Sequence, residues 1–518
     1  MLQERVMLKE GLSSIVFDNE ITVYWNRIVS LGENDFYRVY LNDDLVSETK
    51  KTHFEFFGLK PETEYNIKVE LKTGADTVFV GGECFTTKKS PVRIDVTKAP
   101  YNAIGDGVTL NTAALQKALD DCNAGEAVYF PAGTFLTGAL DLHSNTEIII
   151  DKGATIKGSE HIEDYLPFIK SRSEGLNMMC YRALLNMGEL DENSGYNCEN
   201  IVIRGGGAVI GGGLPLQVAM EAEGLIIKKD YIDSLSEEQL KEFECGPKTI
   251  AGRLRGRLVN ISNTKNVILS NIDFADGPYW NIHFIYSDSV ITKSCKVRSV
   301  HLHNGDGWNP DSSTNCVCFN TDFDTGDNCI AIKSGRNPDG NRINRPTENI
   351  NIFDCHVTSG GGFAIGSEMS GGVKDVAMWN ISCEYGSVGF QLKTTRKRGG
   401  YIKHVRMYDS IVPNFNIKTA LGYNNDGESA GVLSRVDDII CENCVITGKR
   451  YVRSNNEGDP EYSGAVVPAI AILGFNDRVD LIDNVVIRNC RVRQTEAQGQ
   501  NILINNFNGV TIENLKVK

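Results

Sequence analysis

The chain has 518 residues, room for one large domain and a smaller one. Its formal net charge of −14 argues against nucleic acid as a partner, because a phosphate backbone needs a basic face, and any polyanionic substrate would need a locally basic pocket. Ordinary hydrophobic content permits a buried core, and 51 glycines against 14 prolines point to many tight turns. Residues Met1 to Glu10 show no long apolar core or small-residue cleavage site, and no apolar run reaches membrane-spanning length. The expectation is a cytoplasmic protein without membrane association. Fourteen cysteines are scattered, with no His-Cys cluster at zinc spacing, so neither a metal nor another cofactor is expected. Cys316, Cys318, Cys355, Cys383 and Cys490 sit in apolar runs, where free thiols behave as small hydrophobes.

Residues 1–90 read as a separate β-sandwich. Ile21-Thr-Val-Tyr-Trp25 and Phe36-Tyr-Arg-Val-Tyr-Leu41 alternate with the period of half-buried strands and are separated by turn chemistry at Asn42-Asp-Asp44. Trp25, Tyr37-Arg-Val-Tyr40 and the corner Leu59-Lys-Pro-Glu-Thr-Glu-Tyr65 resemble the fibronectin type III domain. In that resemblance the Tyr65 hydroxyl binds backbone upstream, and the module is a spacer or docking surface without a catalytic role.

Residues 91–98 are expected to be a linker, and 99–518 the main domain. From Thr109 to Cys122 apolar residues fall on one helical stripe through Leu115 and Leu119, with Thr109 or Asn111 as N-cap. Short apolar triplets preceded by Asn or Asp then recur: Asn200-Ile-Val-Ile203, Asn266-Val-Ile-Leu269, Asn349-Ile-Asn-Ile352, Asp375-Val-Ala-Met378 and Asn484-Val-Val-Ile487. Spacings of roughly two to three dozen residues are those of an all-β solenoid, whose coils bury their inward side chains only by stacking, and the helix is expected to cap its open end. A β-sandwich is the alternative architecture. An insertion at about 160–250, with helix-like sequence at Ser234–Phe243, is expected to lie on one face and shape a groove.

Two acidic segments stand close together, Asn304-Gly-Asp-Gly-Trp-Asn-Pro-Asp-Ser312 and Thr325-Gly-Asp-Asn-Cys-Ile-Ala-Ile-Lys-Ser-Gly335. Each sets a carboxylate among Gly and Asn between short strands. Singly, Asp306 and Asp327 read as turn residues; placed on successive coils they become candidates for one site, since glycosidic-bond hydrolysis needs one carboxyl to donate a proton and another to activate water.

From Ala99 onward the chain resembles the polygalacturonase family, family 28 of the glycoside hydrolases. The resemblance is carried by Phe130-Pro-Ala-Gly-Thr-Phe135, Gly277-Pro-Tyr-Trp-Asn-Ile-His283, Gly366-Ser-Glu-Met-Ser-Gly-Gly372 and Lys393-Thr-Thr-Arg-Lys-Arg-Gly-Gly400. It implies a right-handed parallel β-helix and inverting hydrolysis, often of galacturonosyl bonds. Carried over by position, Asp327 is the implied proton donor and Asp306 the implied base, with Asn304 in the first motif. Asn328 replaces a second aspartate, so Asp306 works alone or with Asp311. A family histidine has no counterpart around Gly360. Gln391 stands where the family has an arginine, which leaves Lys393 of a carboxylate clamp.

Further substrate-binding candidates are Glu368, for a sugar hydroxyl, and Trp280, for stacking on a ring. His283 and His303 flank the site in sequence, and Arg336, Arg396, Lys397 and Arg398 offer a basic rim or an ordinary solvated loop. The sequence therefore predicts an exo-acting inverting glycosidase releasing terminal galacturonosyl residues from short pectin-derived oligosaccharides. Two alternatives stand: a related glycosidase taking a xylosyl, rhamnosyl or apiosyl end, or an inactive glycan-binding solenoid. The sequence sets no oligomeric state.

Overall fold

The computed structural model describes residues 8, 10–234, 236–237, 255–419, 421–422, 428–453, 462–493 and 501–517. The N-terminal module is a β-sandwich of two antiparallel sheets. One is three-stranded, from Leu12–Val16, Glu20–Trp25 and His53–Phe57; the other is four-stranded, from Phe36–Leu41, Asp44–Thr49, Glu64–Thr73 and Asp76–Thr86. Trp25 lies fully buried between them with its ring edge-on to Tyr37, centroids 5.2 Å apart. The expected corner forms: the Lys60 amide donates to the Tyr65 hydroxyl at 2.9 Å.

Three long parallel sheets make up the rest, a β-helix in which each coil contributes one short strand to each face. Residues alternate in and out, as strand geometry requires. On one face Trp308, Ile330, Ile332, Phe363, Ile365, Phe390 and Leu392 point inward into a single continuous core. Each such side chain stabilises by about 1.5–3 kcal/mol on burial, and Phe363→Ala would cost about 3–5 kcal/mol. The recurring Asn and Asp have a backbone cause. Asn200, Asn266, Asn315, Asn349, Asp375 and Asn484 all have φ between 51° and 60°, the left-handed region that Asn and Asp tolerate best among residues with a Cβ. Their side chains also bond between coils, Asn266 to Asn200 at 3.0 Å and Asn349 to Asn315 at 2.6 Å. The helix Thr112–Asp120 lays Leu115, Ala118 and Leu119 over the first coil and caps the core as expected. Asn111 precedes it without capping it, because its amide is spent on the Ile104 backbone.

Two boundaries differ from the sequence reading. Within the stretch expected as a linker, Val92–Asp95 forms a strand that pairs with Glu126–Phe130 and opens the longest sheet. The apparent insertion at 160–250 is interrupted by a full coil, Leu185–Met187, Cys198–Arg204 and Ala208–Ile210. What departs from the coil is a hairpin, Ile169–Ser173 with Leu176–Cys180, and the helix Gly213–Asp233. Most of the helix-like run Ser234–Phe243 lies outside the described residues. The cysteines are also less isolated than expected: Cys441-Glu-Asn-Cys444 has CxxC spacing, and the Cys441 sulfur lies 3.9 Å from that of Cys490. Among the described residues no helix is long and apolar enough to cross a membrane.

The module is docked along the outer face of the longest sheet. Phe319, Phe353 and Trp379 stack at 4.9 and 4.5 Å on successive coils, and Tyr24 of the module covers them, 5.1 Å from Phe319. Trp379 Nε1 donates to Thr52 Oγ1 at 2.8 Å, and Asp354 Oδ2 accepts from the Thr52 amide at 2.9 Å and lies 2.7 Å from His53 Nδ1. Lys293, buried in the helix face, is shared by Glu20 and Glu55 of the module.

Candidate active site

Four successive coils build the site on the sheet containing Trp308–Asp311, Ile330–Ile332, Phe363–Ile365 and Phe390–Lys393. Asp306 and Asp327 lie in the turns entering the first two strands, stacked because the Gly307 amide donates to the Asn328 carbonyl at 3.0 Å. Lys333 follows the second strand and Lys393 ends the fourth, both on outward positions. Between them the outward residues of the middle strands are Ala331 and Ala364, which fill little space and leave the long lysines room to lean back toward the carboxylates. The signal for Lys333 was present in the sequence: it continues the alternation of Ile330-Ala-Ile on the outward side.

Asp306 is 2% exposed. Burial first, then the neighbouring Asp327 and Glu368 charges, push its carboxyl well above the usual carboxylate range, while Lys333 and Lys393 oppose them. The expected assignment keeps Asp306 ionised, and burial works against it. The Lys333 ammonium lies 3.8 Å from Asp306 Oδ2 and 3.2 Å from Glu368 Oε2. Burial disfavours its charge, but Glu368 and Asp306 hold it above its ordinary range. Lys393 is held below its ordinary range by burial and then by Lys333, and it makes no ion pair among the described residues.

Asn328, which stands in place of a second aspartate, holds the first: its amide and its Nδ2 both donate to Asp327 Oδ1, at 2.8 and 3.0 Å, and fix that carboxylate. Asn304 holds Arg255, whose Nη2 donates to its Oδ1 at 2.7 Å. Gln391 stands on the outward face of its strand two residues before Lys393. Gly360 has φ of 120°, and a Cβ there would overlap the Thr325 hydroxyl and lie 3.0 Å from the Asp327 carbonyl and the Cys329 sulfur. No histidine fits at that position.

Three candidates are placed otherwise than expected. Asp311 is brought together not with the carboxylate pair but with Arg172, whose Nη1 donates to it at 2.6 Å, and with His283 at 3.4 Å. Burial opposes its charge, yet these partners hold it below the usual carboxylate range, so it is an internal anion and no second base. Trp280 is 3% exposed, stacked on Tyr279 at 4.7 Å with the Lys333 ammonium 4.5 Å from its ring, which leaves no face for a sugar. Glu368 accepts from Ser367 Oγ at 2.8 Å and lies 3.7 Å from Arg398 as well as beside Lys333, so it anchors cations. His283 is fully buried, its pKa lowered to about 4 mainly by burial. Of the proposed basic rim, Arg396 is exposed and paired with Asp477, whereas Arg398 is buried and donates to Asn337 Oδ1 at 2.6 Å.

Sequence reasoning missed the hairpin's part. Arg172 reaches Asp311 from it, Ser171 Oγ donates to Asn260 Oδ1 at 2.9 Å, and the Gly175 carbonyl accepts from the Arg336 amide at 2.9 Å. The hairpin therefore crosses the sheet at the exit ends of the strands Trp308–Asp311 and Ile330–Ile332. On its other side lies a cavity of about 870 Å³ lined by Asp141, Phe168, Lys170, Met179, Arg182 and Asn186 among others.

The β-helix thus gathers two carboxyls and two lysines on one sheet face. Residues 230–418 match the model of glycosyl hydrolases family 28, and residues 96–172 match one described as rhamnogalacturonase A/epimerase, pectate lyase-like. Over residues 230–418 the chain is similar to glycosyl hydrolases family 28. It is 29% identical over 375 residues to an exo-poly-alpha-D-galacturonosidase of Dickeya chrysanthemi, covering 69% of this chain and 61% of that protein's length. Its fold is that of the family 28 exopolygalacturonase of Yersinia enterocolitica, with TM-score 0.78, 20% identity and 98% of both chains covered. The hyperthermoactive exopolygalacturonase of Thermotoga maritima superposes with TM-score 0.66 at 26% identity, over 83% of this chain and 93% of that one.

Proposed function

We propose that this protein is an exo-acting, inverting glycoside hydrolase that releases terminal galacturonosyl residues from short pectin-derived oligosaccharides. The observation that carries the reading is Lys393, a half-buried ammonium without an ion pair among the described residues, beside the Asp306–Asp327 pair in an otherwise acidic chain. A uronate carboxylate supplies the charge it lacks, and such charge-assisted hydrogen bonds contribute about 1.5–3 kcal/mol. The hairpin supports exo action, because a wall across the sheet at the exit ends of the site's strands admits a chain end and obstructs a chain passing through. Related exo-acting enzymes support the same reading.

In this mechanism Asp327 gives its proton to the glycosidic oxygen while ionised Asp306 takes one from the attacking water on the opposite side of the sugar. Asn328 keeps Asp327 aimed. Gln391 specifically favours a second reading, since a neutral amide beside Lys393 suits a neutral terminal sugar such as xylose, rhamnose or apiose. The buried free thiols fit a reducing cytoplasm and hence short imported substrates. The test is product analysis on end-labelled oligogalacturonides beside a panel of aryl glycosides. Release of monomer from one end is expected; internal cleavage of polygalacturonate would refute exo action, and turnover confined to neutral glycosides would install the second reading.

A further inference from the structure

The mechanism needs one ionised carboxylate at the water, yet Asp306 is buried and faces the charges of Asp327 and Glu368. Two cations oppose them, and they are not equivalent. Lys393 is the one a uronate would engage, so its charge is committed once substrate is bound. Lys333 is 4% exposed and held on several sides: Glu368 Oε2 at 3.2 Å, Asp306 Oδ2 at 3.8 Å and the Trp280 ring at 4.5 Å. Its backbone is bridged to Asp311 of the preceding coil, itself tied to Arg172. Glu368 does not consume Lys333, because that carboxylate is divided among Lys333, Arg398 and the Ser367 hydroxyl.

We propose that Lys333 is a positioning residue of the catalytic centre, a fixed counter-charge that keeps Asp306 usable as the sole base in a site where the residue after Asp327 is the amide Asn328. The proposal rests on Asp306 and Asp327 being the catalytic pair. The cation–π contact with Trp280 gives the ammonium an anchor that does not depend on either carboxylate, so it stays when Asp306 is protonated. This also accounts for Trp280, which is buried against Tyr279 and His283 with no face for a ring of the substrate. The charged or titratable groups facing Asp306 are Asp327, Glu368, Lys333, Lys393 and the Cys329 thiol, the last pushed up to about 12 by burial and therefore neutral. Once Lys393 is engaged by a substrate carboxylate, Lys333 is the remaining positive charge in this set.

The test reads Asp306 directly, by infrared difference spectroscopy of its carboxyl band across pH, assigned with Asp306→Asn. Lys333→Met should raise the Asp306 titration by about one pH unit or more, as expected when an opposite charge within about 4–6 Å is removed. Lys333→Arg should restore most of it, and the acid limb of kcat/KM on a terminal galacturonide should move in the same direction. An Asp306 titration unmoved in Lys333→Met overturns the proposal whatever happens to turnover. Should that variant not fold, Lys333→Gln serves instead: it removes the same charge, and an unmoved Asp306 titration overturns the proposal equally. A shifted titration in a protein that cleaves no galacturonide would sustain the role of Lys333 and remove the substrate reading.

Discussion

Two buried lysines on opposite faces of the β-helix show how one fold uses the same charge in two ways. Lys293, on the face that receives the N-terminal module, is closed between Glu20 and Glu55 and bonds both. Lys333, on the face of the proposed site, shares Glu368 with Arg398 and stands at the longer distance of 3.8 Å from Asp306. At the interface one buried ammonium is held directly by two carboxylates, and Glu55 is stabilised as an anion: burial opposes its charge, but Lys293 holds its pKa below the usual range. At the site the balance is left incomplete, one carboxyl pushed up and Lys393 without a partner among the described residues. Matched burial glues; unmatched burial leaves groups able to exchange protons and take a charged ligand.

The sharpest break of this comparison is removal of the proposed catalytic pair. Asp306→Asn and Asp327→Asn should each lower kcat by about 10²–10⁴-fold or more, since each deletes one proton-transfer role. Asp306→Asn should melt no lower than the wild type at pH 7. The sign follows from its raised pKa: the folded state favours the protonated carboxyl, so Asp306 contributes stability below its unfolded pKa and loses it as pH rises through the folded value. Near-normal turnover with intact folding would exclude either residue from the mechanism. At the interface the expected damage is to folding. Lys293→Met leaves the half-buried Glu20 and Glu55 without their cation and should cost about 1–3 kcal/mol in denaturant unfolding while kcat is unchanged. A catalytic defect without destabilisation would dissolve the contrast between the two faces.

The legible part of this molecule is the part governed by local repetition. Inward triplets such as Ile201-Val-Ile203 and the left-handed Asn before them are fixed within each coil, so their period stands in the sequence. Asp306 and Asp327 were legible for the same reason, being equivalent turns of adjacent coils. What was hidden depends on contacts between distant segments. Nothing near Arg172 announces that a hairpin brings it to Asp311, 139 residues away. Val92–Asp95 is too short to show a period, and only Glu126–Phe130 beside it makes it a strand. Trp280 is as plausible beneath a sugar as beneath a lysine until Lys333 is seen over its ring. The module's spacer-like sequence likewise conceals that Tyr24 covers Phe319 and Phe353.

Lys393 allows a finer test of the site side. Lys393→Met should lower kcat/KM on a terminal galacturonide by roughly 10- to 100-fold, the equivalent of one charge-assisted hydrogen bond of about 1.5–3 kcal/mol. The loss should be absent on a neutral aryl glycoside of similar size, because no carboxylate is there to be bound. Equal losses on both substrates would mean that Lys393 acts on the carboxylate pair and not on the uronate.

The smallest expected effect is a pH dependence at the interface. Glu55's folded pKa lies below its unfolded one, so its contribution is present above the unfolded value of about 4.3 and is lost as pH falls through the folded value. Glu55→Gln removes that dependence but keeps the shape of the side chain and leaves Glu20 on Lys293. Wild type should therefore be more stable than the variant at neutral pH, with the gap narrowing as pH falls below about 4. The comparison is made by thermal melting of both proteins from neutral to acidic pH. His53 and Asp354 lie within the same interface and are common to both proteins, so the difference between the curves reports on Glu55. Parallel curves across the whole range would show that Lys293 is held by Glu20 alone, and the interface would then carry the same incomplete pairing as the site.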